Sequence, residues 1–436
     1  MLPAEERDTT AVPANPAADL DVFDPNVYGR GVPHETYRRL RDEDPVHWQE
    51  EYEVGGWPAG PGFWAVTRHA DVVRVLRGPT EYSSWIGATQ IRDPDPADLP
   101  FIRRMMLNLD PPEHGRLRRI VSKVFTPRRV ERFATDIERR ARRLVDDIAE
   151  RGECDLPVDV TDDYPIQNLA DLLGIPEEDR DRILGWTNRV IGYQDPDHAE
   201  AARGPDGRPV NPRSPAMLAD MFEYAHTLAD AKRRDPSDDL MTALATAEVD
   251  GRRLSDPELS MFFFLLVIAG NDTVRSGLPG GVMALLDHPD QHRRLLDQPE
   301  LLDSAIDEML RWHPPVLSFR RTAVRDTVLA GRPIAAGDKV VVFHASANRD
   351  ERAFADPERF DVARRAGDHV AFGDGPHVCL GAHFARLQLR TFYREFLWRL
   401  PDLEPAGPPV RLVSNFIAGI KHLPVRYTPV RRSDAR

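Results

Sequence analysis

The sequence predicts a mainly α-helical protein with a minor β-sheet, folded as a single large domain. Hydrophobic patterning continues from about residue 60 to about residue 425, with no linker and no internal repeat. The stretch Ser255-Asp-Pro-Glu258 is a capping box that begins a helix, and the apolar run 261–269 that follows is typical of a helix buried on every side. Segments with strand character are short.

The first half of the chain alternates helical segments with polar loops. Residues 62–67 (GFWAVT) have the aromatic and β-branched content of a strand, and residues 70–76 have helical spacing. The proline-bearing stretches 79–100 and 194–215 predict long loops. Helices are expected over residues 113–150, 179–193 and 216–233.

In the second half, residues 327–343 predict short strands joined by glycine-bearing turns, and residues 382–398 predict an amphipathic helix. For the domain organisation we expect a flexible leader over residues 1–30, one folded domain over 31–429 and a charged tail over 430–436.

Composition narrows the class of protein. The net charge of −13 argues against nucleic acid as a partner. With only two cysteines, a disulfide framework is not expected, and a cytoplasmic location follows. The N-terminus lacks a signal-peptide pattern, and the longest apolar run is shorter than the roughly 20 residues of a membrane span, so no membrane anchor is expected.

One cysteine stands in a specific motif. The sequence Phe372-Gly-Asp-Gly-Pro-His-Val-Cys379-Leu-Gly381 precedes the helix expected from residue 382. A helix N-terminus favours the thiolate form of a nearby cysteine. The motif resembles the cysteine-ligand loop of cytochromes P-450, FGxGxHxCxG, at every fixed position. The resemblance implies that Cys379 ligates a haem iron and that the flanking loop residues contact the haem: Phe372, Gly373, His377 and Gly381. Cys154, in contrast, is expected to be structural.

A second resemblance to the family is Glu308-Met-Leu-Arg311, which matches its ExxR motif. Positions three apart share a helix face, so the two side chains can pair. Such a pair is usually a weak surface contact. The family adds an arginine from a later segment, which corresponds to Arg359. The resemblance implies that Glu308, Arg311 and Arg359 form a structural network under the haem.

The third motif, Ala269-Gly-Asn-Asp272-Thr273, resembles the oxygen-binding AGx(D/E)T sequence of the family. A carboxylate and a hydroxyl in an apolar helix need partners, and a bond from Thr273 to a helix carbonyl is the plain alternative. The resemblance implies that Gly270 opens the helix, that Thr273 serves dioxygen and that Asp272 relays protons. Val274 replaces a second threonine common in the family. The Gly277–Gly281 stretch (GLPGG) is expected to kink or loosen the helix.

Cations for the haem propionates are also implied by the resemblance. The stretch 110–118 (DPPEHGRLR) is similar to the propionate-binding helix start of the family, which assigns His114 and Arg118. Arg321 and His377 match two further propionate ligands. Arg320, directly before Arg321, leaves the choice between the two arginines open.

The resemblance thus implies the cytochrome P-450 fold, haem b, and insertion of one oxygen atom from dioxygen into a hydrophobic small molecule, with a lipid, sterol or terpenoid expected. Electrons would come from NAD(P)H through a ferredoxin reductase and a ferredoxin. A basic docking face or a merely solvated one is expected from Arg116, Arg119, Lys123, Arg128, Arg129 and Arg386.

The alternatives are a monooxygenase that tailors a polyketide or peptide, a peroxygenase, and a haem protein without turnover. For the substrate pocket we expect four segments: the 79–108 loop, the 186–222 region, residues 316–319 and residues 415–420. They supply Trp85, Ile86, Ile91, Trp186, Ile191, Met217, Val316, Leu317, Phe416 and Ile417.

Overall fold

A computed structural model describes residues 20–122, 125–198, 209–249 and 252–432. Helices dominate it, which confirms the predicted mainly α class. The helices are α1 (Pro25–Arg30), α2 (His34–Glu43), α3 (His69–Arg77), α4 (Leu99–Ile102), α5 (Glu113–Ser122), α6 (Pro127–Val130), α7 (Ala134–Ala149), α8 (Asp163–Leu173), α9 (Arg180–Ile191), α10 (Ala219–Arg234), α11 (Leu240–Thr246), α12 (Asp256–Asp287), α13 (Pro289–Asp297), α14 (Leu302–Trp312), α15 (His344–Ala347) and α16 (Ala382–Arg399).

The strands are β1 (Val46–Gln49), β2 (Phe63–Val66), β3 (Tyr82–Ser83), β4 (Glu153–Asp155), β5 (Glu248–Val249), β6 (Arg252–Arg253), β7 (Ser318–Ala323), β8 (Thr327–Leu329), β9 (Arg332–Ile334), β10 (Lys339–Phe343), β11 (Glu404–Pro405), β12 (Val410–Arg411), β13 (Ile420–His422) and β14 (Pro424–Arg426). The largest sheet has the order β1-β2-β10-β7-β3. Its strands β2 and β10 pair in parallel, with Ala65 opposite Val341, whereas β7 is antiparallel to β10. β10 is buried along its whole length, as a central strand should be.

Helix α12 forms the centre of the molecule. Its capping box is present as predicted: the Ser255 hydroxyl accepts from the Glu258 N–H, and the Glu258 carboxylate accepts from the Ser255 N–H. The helix packs against α8, α9, α10, α14 and α16. Within the described residues, α12 is the one helix long and apolar enough to cross a membrane, but 67% of its most apolar window is buried inside the protein.

The GLPGG stretch, which was expected to kink or loosen the helix, does not end it: α12 continues from Asp256 to Asp287 with Pro279 inside it. The Tyr393 hydroxyl approaches the carbonyls of Gly277 and Leu278 at 3.2 and 3.1 Å, which gives them a donor beside the proline. Added Cβ atoms at Gly280 and Gly281 would lie 2.1 Å from the His313 ring and the Tyr393 hydroxyl. These glycines therefore serve close packing of α14 and α16 on α12.

The expected leader ends earlier than residue 30. Val22 and Phe23 are fully buried in a cluster with Phe63, and α1 already begins at Pro25. From residue 20 onward the chain therefore packs on the sheet through apolar and aromatic side chains. Residues 1–19 lie outside the described part. At the other end, Val430 donates to the Ala149 carbonyl at 2.8 Å, and residues 433–436 of the expected tail lie outside it as well.

Candidate active site

The loop that carries Cys379 is a tight turn leading into α16. The Cys379 N–H donates to the Phe372 carbonyl at 2.8 Å, and the Val378 N–H donates to the Gly375 carbonyl at 3.1 Å. Gly373 and Gly375 have φ angles of +69° and +66°, which favour glycine. A Cβ at Gly375 would also lie 2.5 Å from the Leu76 carbonyl, so this glycine seats the loop on α3.

Cys379 is exposed toward an internal cavity and is otherwise surrounded by protein. Burial raises the pKa of its thiol, while the Gly381 N–H and the charges of Arg118 and Arg386 oppose that rise. The thiolate therefore needs a further positive partner, which a bound metal ion supplies. Cys154 lies on β4, where burial raises the pKa of its thiol to about 12. Its thiol is thus inert, as predicted for a structural cysteine.

The cavity has a volume of about 230 Å³, and its lining is mostly apolar. One group of lining residues comes from α12, and includes Phe262, Leu265, Leu266, Ala269, Gly270, Thr273 and Val274. A second group comes from the cysteine loop and α16, and includes Phe372, Gly373, His377, Cys379, Gly381, Phe384 and Gln388. The remaining wall includes Met106, Leu107, His114, Arg118, Leu169, Leu172, Val316, Phe319 and Arg321.

A cationic side of this cavity gathers the four predicted propionate ligands. The rings of His114 and His377 lie 4.1 Å apart, and Arg118 donates to the Val378 carbonyl at 2.7 Å. Burial lowers the pKa of Arg321 to about 10, that of His114 to about 4 and that of His377 to about 2. At neutral pH the two arginines are therefore charged and the two imidazoles are neutral. Within the described chain, none of the four forms an ion pair.

The structure separates Arg320 from Arg321. Neighbouring residues of a strand point to opposite faces, and β7 follows that rule. Arg320 donates to the Asp93 carboxylate at 2.6 Å, whereas Arg321 lines the cavity. Arg321 is thus the arginine available to a ligand in the cavity.

These residues fit a haem. A buried guanidinium without a carboxylate is costly, and Arg321 is only 3% exposed, so an anionic ligand would relieve it. A Cβ at Gly381 would meet no atom within 4 Å, which leaves open space beside Cys379. A thiol, apolar walls and two arginines together match a flat macrocycle that carries an iron and two carboxylates.

Asp272 and Thr273 differ in their surroundings. Thr273 lines the cavity, and its hydroxyl donates to the Ala269 carbonyl at 2.9 Å. This is the bond to a helix carbonyl that the sequence offered as the alternative to a role with dioxygen. Asp272 is 2% exposed, and neither of its oxygens has a hydrogen-bond partner in the described part of the chain. Burial raises the pKa of Asp272 to about 6. Gly270 lies within the continuous helix α12, and a Cβ there would lie 2.9 Å from the Leu169 side chain.

Arg275 connects Asp272 with the surface. Its Nε lies 3.5 Å from an Asp272 oxygen and 3.6 Å from an Asp162 oxygen. The Asp162 side chain is 37% exposed. A buried carboxylate and a solvent-exposed one thus share one guanidinium, a contact that the sequence motif did not reveal.

The network under the cavity contains Glu308 and Arg311 but a different third member. Arg311 donates to both Glu308 oxygens at 2.6 and 2.9 Å, and neither side chain is exposed. The expectation for Arg359 is wrong as regards its side chain, which is 64% exposed. Only its carbonyl accepts from Arg311, at 3.3 Å. Arg364 is the third member of the network instead of Arg359. Its Nε lies 3.1 Å from a Glu308 oxygen, because the turn after residue 356 directs the Arg364 side chain inward.

The substrate-lining residues were largely missed. Of the ten expected residues, Val316 is in the cavity wall. Trp186 and Ile191 are buried in the core instead, and Trp85 is 45% exposed with Arg103 over its ring. Two of the expected segments do reach the wall, through Met106 and Leu107 of the 79–108 loop and Phe319 of the 316–319 segment. Other apolar lining residues come from helices whose inward face the sequence did not identify.

Comparison with known proteins gives the family. The cytochrome P450 family model matches residues 217–401. A steroid C26-monooxygenase of Mycobacterium bovis is 37% identical over 428 residues, covering 97% of this chain and 96% of the relative. A methyl-branched lipid omega-hydroxylase of the same organism is 39% identical over 426 residues, with 96% and 97% covered.

Solved structures agree with these relatives. A Mycobacterium marinum cytochrome P450 in complex with pseudoionone superposes with a TM-score of 0.84 at 38% identity, over 95% of this chain and 100% of that one. A cytochrome P450 of Novosphingobium aromaticivorans gives a TM-score of 0.82 at 30% identity, over 94% and 97%. The chain therefore belongs to the cytochrome P450 family and is a haem-dependent monooxygenase with the P450 fold.

Proposed function

We propose that this protein hydroxylates a lipid or sterol, using haem b bound through Cys379. The observation that carries the proposal is the apolar cavity in which the Cys379 thiol and the Thr273 hydroxyl are both exposed. Arg118, Arg321, His114 and His377 would hold the two carboxylates of the cofactor. A thiolate-ligated haem supplies the activation of dioxygen for insertion of one oxygen atom into a C–H bond.

Thr273 and Asp272 would deliver protons to the cavity. The Thr273 hydroxyl can exchange its bond to the Ala269 carbonyl for a bond to dioxygen or water in the cavity. A carboxylic acid with a pKa of about 6 exchanges protons readily at neutral pH. Asp162, through Arg275, would connect that acid with solvent. This arrangement supports a dioxygen-dependent enzyme rather than a peroxygenase or a carrier.

The substrate class is inferred from two sources. The relatives named above act on a steroid and on methyl-branched lipids, by their names. The cavity wall supports an apolar molecule, since Phe262, Leu169 and Phe319 line it. Removing from water an apolar surface as large as one such side chain contributes about 2 kcal/mol before the costs of association are subtracted.

Electrons would come from a ferredoxin and its reductase in the cytoplasm. Arg128 and Arg129 are exposed on α6, which packs beside α16. Two other residues of the expected basic face form ion pairs within the protein: Arg116 with Glu258, and Arg386 with Asp307. Lys123 lies outside the described residues. The docking surface is therefore proposed to centre on α6.

The iron ligand is tested by the absorption spectrum of the reduced protein with carbon monoxide. Wild type and Cys154→Ser should both give the spectrum of thiolate-ligated haem. Cys379→His should shift it and Cys379→Ser should abolish it. An unchanged spectrum in Cys379→Ser would refute the central assignment.

The substrate class is tested by the shift of the Soret band on titration with ligands. Sterols and methyl-branched lipids should shift the band and be hydroxylated in the presence of ferredoxin, reductase and NADPH. A response confined to a macrolide or a cyclic peptide would favour the tailoring alternative. Product formation with hydrogen peroxide alone at the same rate would favour a peroxygenase.

A further inference from the structure

One ion pair joins α14 and α16 beside the cysteine loop. Arg386 of α16 donates from its Nε and from one terminal nitrogen to an Asp307 carboxylate oxygen of α14, at 3.2 and 2.9 Å. The same guanidinium lies over the Phe372 ring, 4.4 Å from the ring centre. Phe372 lines the cavity, and its carbonyl accepts from the Cys379 N–H at 2.8 Å. The Asp307–Arg386 pair therefore contacts the loop that presents the thiol.

The Asp307 carboxylate is itself held in place. The Nε2 atom of His369 lies 3.5 Å from the oxygen that pairs with Arg386, and the His369 side chain is buried. The Nδ1 atom of that ring accepts from the Ala371 N–H at 3.1 Å, so Nε2 carries the ring hydrogen and faces Asp307. Asp307 also directly precedes Glu308 of the buried network. The guanidinium of Arg386 thus has a defined position between a fixed carboxylate and an aromatic ring.

The charge of Arg386 acts on the thiol. It favours the thiolate form of Cys379, as the charge of Arg118 does. A positive charge near a thiolate-bound iron also favours the reduced state, because one-electron reduction makes the centre more negative by one charge. The two side chains of the Asp307–Arg386 pair are 26% and 34% exposed, so solvent screens their charges only in part. Asp307 opposes the effect of Arg386, since its carboxylate is in contact with that guanidinium.

We infer that the Asp307–Arg386 pair sets the reduction potential of the haem iron, with Arg386 raising the potential and Asp307 limiting the rise. Both are positioning residues that act through their charges. The electron comes from the ferredoxin and reduces the ferric iron to the ferrous state, and no bond is made or broken at the pair. The inference rests on the proposed binding of haem through Cys379 and specifies what controls the entry of the first electron.

The test measures the reduction potential of the haem-loaded protein by spectroelectrochemical titration without ferredoxin. Arg386→Gln removes the positive charge and should decrease the equilibrium constant for one-electron reduction roughly three- to ten-fold. A ten-fold change corresponds to a shift of about 59 mV. Asp307→Asn should increase the constant by a similar factor, because the charge of Arg386 is then no longer offset. Arg386→Lys keeps the charge and should stay close to wild type.

Arg390→Gln is the matched control. Arg390 pairs with Asp303 at 2.6 Å between the same two helices, one helical turn farther from Cys379, and its side chain is 43% exposed. Its replacement should leave the potential unchanged. The double variant Asp307→Asn with Arg386→Gln loses both charges and should return toward the wild-type potential.

The opposite signs expected at Arg386 and Asp307 separate an effect of charge from an effect of packing. Shifts of the same sign in Arg386→Gln and Asp307→Asn would overturn the inference, and so would an equal shift in Arg390→Gln. Unchanged potentials in all variants would overturn it too, and would leave the proposed function standing. If wild type with carbon monoxide lacks the spectrum of thiolate-ligated haem, the proposed function fails as well.

Discussion

At the scale of single residues, Asp272 has the most unusual environment. Its carboxylate is buried without a hydrogen-bond partner in the described residues, and Arg275 at 3.5 Å offsets only part of the desolvation. A raised pKa in the folded state means that the native protein binds a proton where the unfolded chain has lost it. Stability therefore falls as pH rises through that interval.

Asp272→Asn makes this effect measurable. Its stability relative to wild type should grow as pH rises from about 4 to about 6 and then level off, with a total of about 3 kcal/mol. Urea unfolding at a series of pH values checks the prediction. A constant difference across that range would mean that Asp272 has an ordinary pKa.

Thr273 is expected to control the use of electrons. Thr273→Ala should keep haem, the thiolate spectrum and substrate binding, while product formation falls by about 10²–10⁴-fold. NADPH would still be consumed, and hydrogen peroxide would appear instead of product. The adjacent Val274 has no hydroxyl and cannot compensate. Thr273→Ser should restore much of the coupling. Tight coupling in Thr273→Ala would indicate another donor, such as Asn271 or water.

At the scale of secondary-structure elements, the Glu308–Arg311 pair joins α14 to the segment around residues 357–364. Removing one member leaves the other buried and charged, at a cost of about 3–5 kcal/mol. Glu308→Ala and Arg311→Ala should therefore yield little haem-loaded protein. Arg359→Ala is the control: its exposed side chain predicts a change within about 0.5 kcal/mol. Haem content and thermal unfolding distinguish them, and equal losses in all three would contradict the assignment to Arg364.

Replacing either of two helical glycines by alanine should change the stability of the protein, in opposite directions at the two positions. In α12, a Cβ at Gly280 overlaps the His313 ring, so Gly280→Ala should destabilise the protein by about 1–3 kcal/mol. In α9, a Cβ at Gly185 meets no atom within 4 Å, so Gly185→Ala should stabilise it by about 0.5–1 kcal/mol. Denaturant unfolding measures both. Destabilisation by Gly185→Ala would contradict the packing described for α9.

Element positions were predicted well where a local signal exists. The Ser255–Glu258 capping box marked the start of α12, and the cysteine motif marked the start of α16 within a residue. At the GLPGG stretch local propensity predicts a weakened helix, whereas α12 runs through it without interruption and the Tyr393 hydroxyl lies 3.1 Å from the Leu278 carbonyl. Tertiary packing of that kind is not encoded in any window of neighbouring residues.

The site was predictable only in part for a related reason. Cys379, Thr273 and Arg321 stand in patterned segments, and the structure brings all three to one cavity. Arg364 has no local pattern, and its environment arises from segments far apart in the chain. Periodicity also shows that a helix has an apolar face without showing which neighbour that face meets.

At the scale of the whole molecule, the net charge is −13, yet α6 exposes Arg128 and Arg129. If α6 receives an acidic ferredoxin, Arg128→Glu combined with Arg129→Glu should slow reduction by ferredoxin about ten-fold or more. The wild-type rate should also fall as ionic strength rises from about 0.05 to about 0.5 M. Arg325→Glu, on the turn after β7, is the control and should leave the rate unchanged. A salt-independent rate would place docking elsewhere.

The parallel pairing of β2 with β10 also has a consequence for biosynthesis. Ala65 leaves the ribosome roughly 270 residues before its partner Val341, an interval on the order of tens of seconds at ordinary rates of translation. During that time β2, with its apolar residues Phe63 and Val66, has no strand to complete the sheet on that side. The nascent chain thus exposes an unpaired strand edge until more than three quarters of the protein has been made. From this order of synthesis we expect slow maturation and a benefit from chaperone co-expression, even when haem is supplied in excess.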